Sequence, residues 1–183
     1  IAAGVTTFVE CGPGKVLTGL NRRIEKRPDL QCLALQDPAA VDAALASAVV
    51  WLDALVGNVD RTARNVNLLW WHRRLWLIDH GAALIFQHQW DGHLERSRRP
   101  FLPIRDHVLL PLATGLEEAD ARLTALVTNE EIQRIVGLVP ESWLVADASA
   151  GEAARRRAAY VGYLQRRRET SQLFVEEAIR ARA

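Results

Sequence analysis

Short apolar runs and helical periodicity alternate along the first part of the chain. Residues 5–10 and 31–35 are apolar and β-branched runs of strand length, and residues 15–27 between them repeat apolar side chains at helical spacing. A longer helical pattern begins after Asp37, which can cap it, and continues to Gly57, where glycine favours its end. The pattern predicts a short strand–helix–strand unit followed by one uninterrupted helix.

A polar segment over residues 58–65 separates that helix from two further apolar runs. These runs cover residues 67–71 and 75–78, and the polar residues between them predict a β-hairpin. Beyond the hairpin, apolar positions recur mostly at helical spacing, in segments over residues 105–112, 116–127, 130–138 and 152–182. We therefore predict a mainly α fold with a small β-hairpin, preceded by a short α/β fragment.

Composition adds few constraints to this prediction. The chain has a hydrophobic fraction of 49%, a charged fraction of 25% and a formal net charge of +1, which gives no general attraction to nucleic acid or to an anionic membrane. No apolar run approaches the roughly 20 residues that a membrane-spanning helix needs. We expect no nucleic-acid partner and no membrane partner. Cys11 and Cys32 form no metal or disulfide framework, so we expect reduced thiols in a cytoplasmic protein.

The candidate chemistry lies in the polar segment and just after the hairpin. Asp60 and Asn65 are five positions apart, and Asp79 follows 14 residues after Asn65 at the end of a predicted strand. Kinase catalytic loops place an Asp and an Asn at this spacing, and a second Asp follows a short hairpin. The hairpin should return Asp79 to Asn65, and two hard oxygen ligands suit Mg²⁺ better than zinc.

From about residue 49 to residue 183, the chain resembles the C-terminal part of HipA-like kinases. The resemblance rests on residues 55–61, Asn65 and residues 77–81. It implies a helical kinase C-lobe in which Asp60 is the catalytic base and Asn65 and Asp79 bind Mg²⁺. It also implies ATP as cofactor and an unspecified phosphoryl acceptor, with proteins among the candidates. Related kinases often have a histidine where this chain has Thr62.

The first 48 residues resemble a different enzyme family. Residues 4–20, and more weakly residues 34–38, are similar to the C-terminal end of malonyl-CoA:acyl-carrier-protein transacylases of fatty acid synthesis. The Gly-x-Ser-x-Gly motif of their nucleophile is absent from the chain. We therefore divide the chain into a transacylase-like fragment, residues 1–48, and a HipA-like C-lobe, residues 49–183. The absence of methionine and the start at Ile1 suggest a cut end, whereas the final helix is expected to run to a natural C-terminus.

Three functions remain open at this point. The first is Mg²⁺- and ATP-dependent phosphotransfer, the second is a transacylase fragment, and the third is a non-catalytic helical binding module. No Gly-rich loop with an ATP-binding lysine precedes Asp60, so we expect no kinase activity from the 183 residues alone.

Two arginine triplets mark the last predicted helix. Residues 155–157 and 166–168 lie 11 positions apart, about three helical turns, and so share one face. We predict that this basic face is solvated; an acidic partner protein is the alternative.

Overall fold

The computed structural model describes residues 7–11, 31–35, 43–71, 74–145 and 151–183 of the chain. Within these ranges helices predominate, one β-hairpin lies near the centre, and a pair of short strands precedes them. The predicted fold class is confirmed. The predicted helix over residues 15–27 and the cap at Asp37 lie outside the described residues.

Four short strands form two separate pairs in the part of the chain that the structure describes. Strands β1 (Thr7–Cys11) and β2 (Gln31–Leu35) are parallel, with Thr7 opposite Gln31. Strands β3 (Leu68–Trp71) and β4 (Arg74–Leu77) are antiparallel and form the predicted hairpin. The backbone of β1 comes within 8 Å of β3.

The central helix α1 (Ala43–Val56) runs without interruption across the boundary proposed at residues 48 and 49. Its core-facing positions include Val50 and Trp51, which are almost completely buried. Gly57 ends the helix with a φ of 65°, a left-handed conformation that glycine adopts without steric cost. The polar segment that follows therefore turns sharply away from the helix axis.

The remaining helices are mostly short. Two 3₁₀ helices, Leu102–Asp106 and Leu110–Leu112, replace the single helix predicted over residues 105–112, because Pro103 and Pro111 each lie in a first helical turn and interrupt regular α-helical hydrogen bonding. Another 3₁₀ helix covers Ile85–His88. The α-helices of this region are α2 (His93–Arg96), α3 (Leu116–Leu126), α4 (Asn129–Gly137), α5 (Glu141–Leu144), α6 (Glu152–Glu169) and α7 (Ser171–Arg182).

The core forms where α1 packs against α3 and α7. Trp51 meets Phe174 of α7 edge to face, with ring centroids 5.9 Å apart. The indole Nε1 of Trp51 donates a hydrogen bond of 2.6 Å to Asp120 of α3. This central position of α1 fixes the residues that follow it relative to both C-terminal helices.

The last predicted helix is two helices in the structure, which separate at Thr170. The Thr170 hydroxyl donates to the carbonyl of Arg166 at 2.9 Å, and the backbone of Thr170 has a φ of −114° and a ψ of 30°. The break lets α7 turn its own apolar face, including Phe174 and Ala178, toward the core. Apolar periodicity continues through the break, and for this reason the sequence alone predicts one helix.

The prediction of a fully solvated basic face on this segment is wrong. Arg167 is only 3% exposed, and Arg157 and Arg168 donate hydrogen bonds to backbone carbonyls of other helices. Arginines on one helix face can contact different neighbouring elements, so their common face did not mean that all of them were exposed to solvent.

No helix among the described residues is long and apolar enough to cross a membrane. Because residues 1–48 resemble only the end of a larger enzyme, we also expect residues 1–40 to pack loosely on the helical part. This depends on side chains outside the described residues, so it stays a prediction.

Candidate active site

A buried carboxylate, Asp53, anchors the segment that leads into the predicted loop. Asp53 is completely buried in α1, and Arg61 Nε donates to its Oδ2 at 2.5 Å. His107 Nε2 lies 3.0 Å from the same oxygen, and Asn58 Nδ2 donates to Oδ1 at 3.0 Å. A buried charge is tolerated where it is paired and hydrogen-bonded. Asp53 therefore joins α1 to the loop and to the segment around His107.

The same hydrogen bonds define the charge of this cluster. The backbone N–H of Leu109 donates to His107 Nδ1 at 3.1 Å, so the ring hydrogen is on Nε2 and points to Asp53. Burial alone would raise the pKa of Asp53, but hydrogen bonds from His107, Arg61 and Asn58 together hold that pKa below its ordinary value. Asp53 is therefore ionised at neutral pH and balances the charge of Arg61.

Arg61 extends this network toward the hairpin. Its guanidinium is buried, Nη1 donates to the backbone carbonyl of Asn67, and Nη2 lies 3.1 Å from His80 Nε2. Because a guanidinium group can only donate, His80 Nε2 accepts this hydrogen bond. One buried side chain thus connects α1, the residue before β3 and the residue after Asp79.

Residues 60–65 fold back so that Asn65 reaches Asp60. The Thr62 backbone N–H donates to the Asn65 carbonyl at 3.0 Å, and the Asn65 N–H donates to the Thr62 carbonyl at 3.2 Å. Across this turn, Asn65 Nδ2 donates to Asp60 Oδ2 at 2.6 Å. The backbone N–H of Asp60 donates to the side chain of Asn58 at 3.1 Å, which fixes the start of the turn. Asn65 is exposed, so the pair is open to solvent.

Asn67 links the loop to the end of the hairpin. Its Nδ2 lies 3.3 Å from Asp60 Oδ2 and also 3.3 Å from the backbone carbonyl of Asp79. Asn67 and Asp79 both have left-handed backbones, with φ of 47° and 49°. Such conformations are uncommon outside glycine and are often found where a functional site needs a particular side-chain direction. The carboxylate of Asp79 is exposed, and its Oδ1 accepts a weak hydrogen bond of 3.4 Å from Gly81.

The three residues singled out from the sequence therefore lie in one neighbourhood. Asp60 and Asn65 are in direct contact, whereas Asp79 is connected to them through Asn67. That Asn65 and Asp79 share one cation stays a prediction, as do the roles assigned to all three.

Sequence reasoning missed the residues that hold this site in place. Asp53 carried a usable signal, because it recurs at helical spacing with the buried Ala46 and Val50 and a buried carboxylate requires a donor partner. Asn67 carried no comparable signal, since its role depends on a left-handed backbone that only the folded hairpin defines.

Comparison with known families places most of the chain in one family. The profile of the HipA-like kinase family matches residues 17–175. The chain belongs to the HipA-like kinase family. The match includes the whole neighbourhood of Asp60, Asn65 and Asp79, and it begins before residue 49, inside the segment that also resembles a transacylase. The boundary between residues 48 and 49 stays a prediction.

The second resemblance is short. Over 45 residues the HipA-like chain is 49% identical to the malonyl CoA-acyl carrier protein transacylase of Bacillus subtilis (strain 168). Those residues are 25% of this chain, and the chain spans 14% of the length of that curated relative. No solved structure matches the chain.

Proposed function

We propose that this HipA-like chain supplies the catalytic and metal-binding residues for Mg²⁺- and ATP-dependent phosphotransfer. Asp60 is the catalytic base, and Asn65 and Asp79 are the magnesium ligands. The observation that most supports this proposal is the position of Asp60, which accepts from Asn65 at 2.6 Å and, through Asn67, is tied to the backbone of Asp79.

The hydrogen bonding of Asp60 suits the role of a base. Both amide donors, Asn65 and Asn67, approach Oδ2, and among the described residues no donor approaches Oδ1. Oδ1 is therefore available to the hydroxyl group of an acceptor. In the proposed step the acceptor oxygen bonds to the γ-phosphorus of ATP, the bond from phosphorus to the bridging oxygen breaks to leave ADP, and Asp60 takes the hydroxyl proton.

The donor set at this site fits magnesium. Mg²⁺ is held in phosphotransferases by one or two carboxylates together with substrate phosphates and water. Asp79 offers an exposed carboxylate, and Asn65 uses its amide nitrogen toward Asp60, so its amide oxygen is available. No group of three or more His, Cys, Asp and Glu side chains in the described ranges could hold a metal. The proposed magnesium site therefore uses two protein oxygens together with phosphate oxygens, instead of a set of ligands supplied by the protein alone. The metal would neutralise charge on the transferred phosphoryl group.

ATP must also be gripped over its adenine and phosphates, and no Gly-rich loop with an ATP-binding lysine precedes Asp60 in the 183 residues. We propose that a kinase N-lobe beyond these residues supplies that grip. Correct orientation of reactants can lower a barrier by about 7–11 kcal/mol, so its loss removes many orders of magnitude in rate. The 183 residues alone should bind ATP weakly and transfer no phosphate at a measurable rate.

A chimera tests this proposal. Replacing residues 1–48 with the N-lobe of a HipA-like kinase should yield Mg²⁺-dependent ATP turnover. Asp60→Ala and Asp79→Ala should each abolish that turnover, whereas Asp91→Ala, which changes an exposed aspartate outside the site, should not. Turnover that survives both site substitutions in a folded chimera would refute the assignment.

A further inference from the structure

One cleft, separate from the Asp60 site, combines aromatic and cationic walls. It has a volume of about 300 Å³ and opens beside Gly57, at the end of α1. None of the Asp and Glu residues that the structure describes lines it. Its walls include three aromatic side chains and three arginines: Phe86, Phe101, Tyr163, Arg96, Arg99 and Arg167.

Arg167 is the most unusual of these residues, because it is 3% exposed and has no carboxylate partner. Its Nε donates to the carbonyl of Ala54 at 2.7 Å, and Nη1 is 3.3 Å from each of the carbonyls of Ser97 and Arg99. Nη2 is buried and has no hydrogen-bond partner among the described residues. Buried polar groups without a hydrogen-bond partner are rare in folded proteins, so this nitrogen calls for an explanation.

The charge on this side of the molecule is only partly balanced. The last turn of α1, which includes Ala54, presents roughly half an elementary negative charge to Arg167. This partial charge offsets part of the positive charge of Arg167 and leaves the charges of Arg96 and Arg99 unbalanced. Arg96 donates only to the backbone carbonyls of Gln89 and Asp91, and no salt bridge joins Arg96, Arg99 or Arg167 to a carboxylate of the described residues. Three cations thus line one cleft, and within the described residues none of them is paired with a carboxylate.

Aromatic rings form part of the cleft wall and also pack against Arg167. The guanidinium carbon of Arg167 lies 5.5 Å from the centre of the Phe101 ring and 5.1 Å from that of Phe174. Phe86 and Tyr163 stack with ring centroids 4.1 Å apart. This arrangement holds Arg167 rigidly and gives the cleft an apolar wall beside its positive charges.

We propose that this cleft binds a small-molecule phosphate monoester whose organic part is aromatic or apolar. A phosphate monoester carries close to two negative charges at neutral pH, and arginine is well suited to its geometry. The volume lies at the lower end of the range of ligand pockets, which favours a small ligand over an extended chain. Asp60, Asn65 and Asp79 are not among the residues that line the cleft, so the site is distinct from the proposed phosphotransfer site.

Calorimetric titration of the 183-residue chain with phenyl phosphate tests the proposal, with inorganic phosphate and benzoate as comparison ligands. We expect phenyl phosphate to bind at least about tenfold more tightly than either comparison ligand. Inorganic phosphate lacks the ring, and benzoate has the ring but only one negative charge and two acceptor oxygens, against nearly two charges and three oxygens in the monoester. Equal affinity for inorganic phosphate would overturn the aromatic part of the proposal, and equal affinity for benzoate would overturn the preference for phosphate.

Single substitutions test whether phenyl phosphate binds in this cleft. Arg99→Gln should weaken phenyl phosphate binding by about tenfold, because the exposed Arg99 lines the cleft and its side chain donates no hydrogen bond within the described residues. The neighbouring Arg98→Gln is the matched control, since Arg98 is exposed and does not line the cleft, and it should bind like the unchanged chain. Asp60→Asn should leave this binding unaltered. Equal weakening by both arginine variants, dependence on Asp60, or no binding at millimolar phenyl phosphate would overturn the proposal.

Discussion

Two arginines in this chain are buried to the same degree but differ in what surrounds their charge. Arg61 is 1% exposed and pairs with the ionised carboxylate of Asp53, whereas Arg167 is 3% exposed and meets only carbonyl oxygens and phenyl rings. The first arrangement is complete without any further group. The second leaves one guanidinium nitrogen without a partner.

The difference agrees with the roles that we propose for the two regions. The Asp53–Arg61 pair is internal and holds the loop of Asp60 against α1 and the hairpin, so its role is to position other groups. Arg167 lines a cleft of about 300 Å³, which we propose binds a small ligand. Equal burial of a charged side chain therefore says little about function until its partners are counted.

The largest expected effect comes from removing the carboxylate of the internal pair. Asp53→Ala would leave Arg61 buried without its anion and His107 Nε2 without its acceptor. Breaking one partner of a buried pair costs about 3–5 kcal/mol of unfolding free energy. Urea denaturation of the unchanged chain and of Asp53→Ala measures this difference in unfolding free energy.

An exposed ion pair serves as the control for that substitution. Glu131 pairs with Arg134 on the surface of α4, where solvent screening leaves such pairs with little effect. Glu131→Ala should leave the denaturation midpoint nearly unchanged. An Asp53→Ala protein as stable as this control would show that the internal pair is not holding the loop.

A paired substitution sharpens the comparison between the two arginines. Arg61→Met leaves the charge of Asp53 buried and should be as costly as Asp53→Ala. Arg167→Met removes hydrogen bonds to neutral carbonyls and leaves no charge behind, so it should cost less, about 1–3 kcal/mol. Urea denaturation of both variants in the same buffer shows which substitution lowers the unfolding free energy more. A larger loss from Arg167→Met would contradict the assignment of Arg61 as the better-paired residue.

The smallest effect concerns pH. The pKa of Asp53 is lowered in the folded chain from an ordinary value of 3.8, so its contribution to stability is complete above that value and is lost as pH falls through the folded pKa. The stability difference between the unchanged chain and Asp53→Asn should be constant near pH 5 and shrink below about pH 4. Other carboxylates are common to both proteins and cancel. A difference that does not shrink in acid would contradict the lowered pKa.

Much of the fold followed from the sequence because the patterns were local. The apolar runs over residues 67–71 and 75–78 contained enough information for the hairpin, and Gly57 marked the end of α1. The break at Thr170 did not follow, since it reflects how α6 and α7 pack on different neighbours rather than a change in periodicity.

The candidate site, like the fold, could be predicted from the sequence only in part. The spacing of Asp60, Asn65 and Asp79 was visible in the sequence, as was the hairpin that returns Asp79 to the loop. The connection through Asn67 was not, because one amide reaches Asp60 and Asp79 only from a left-handed backbone. The burial of Arg167 was hidden for a related reason: its partners are backbone carbonyls, which carry no signature in the amino-acid sequence.

We propose that Asp60 and Asp79 play different parts in one phosphotransfer site. Calorimetric titration of Mg²⁺ and ATP into the chimera with a HipA-like N-lobe separates them, when turnover is followed on the same samples. We predict that Asp79→Asn loses Mg²⁺-dependent ATP binding, since a metal ligand is removed, whereas Asp60→Asn keeps that binding and loses turnover. An Asp79→Asn protein that binds Mg²⁺ and ATP with unchanged affinity and still turns over would contradict the account.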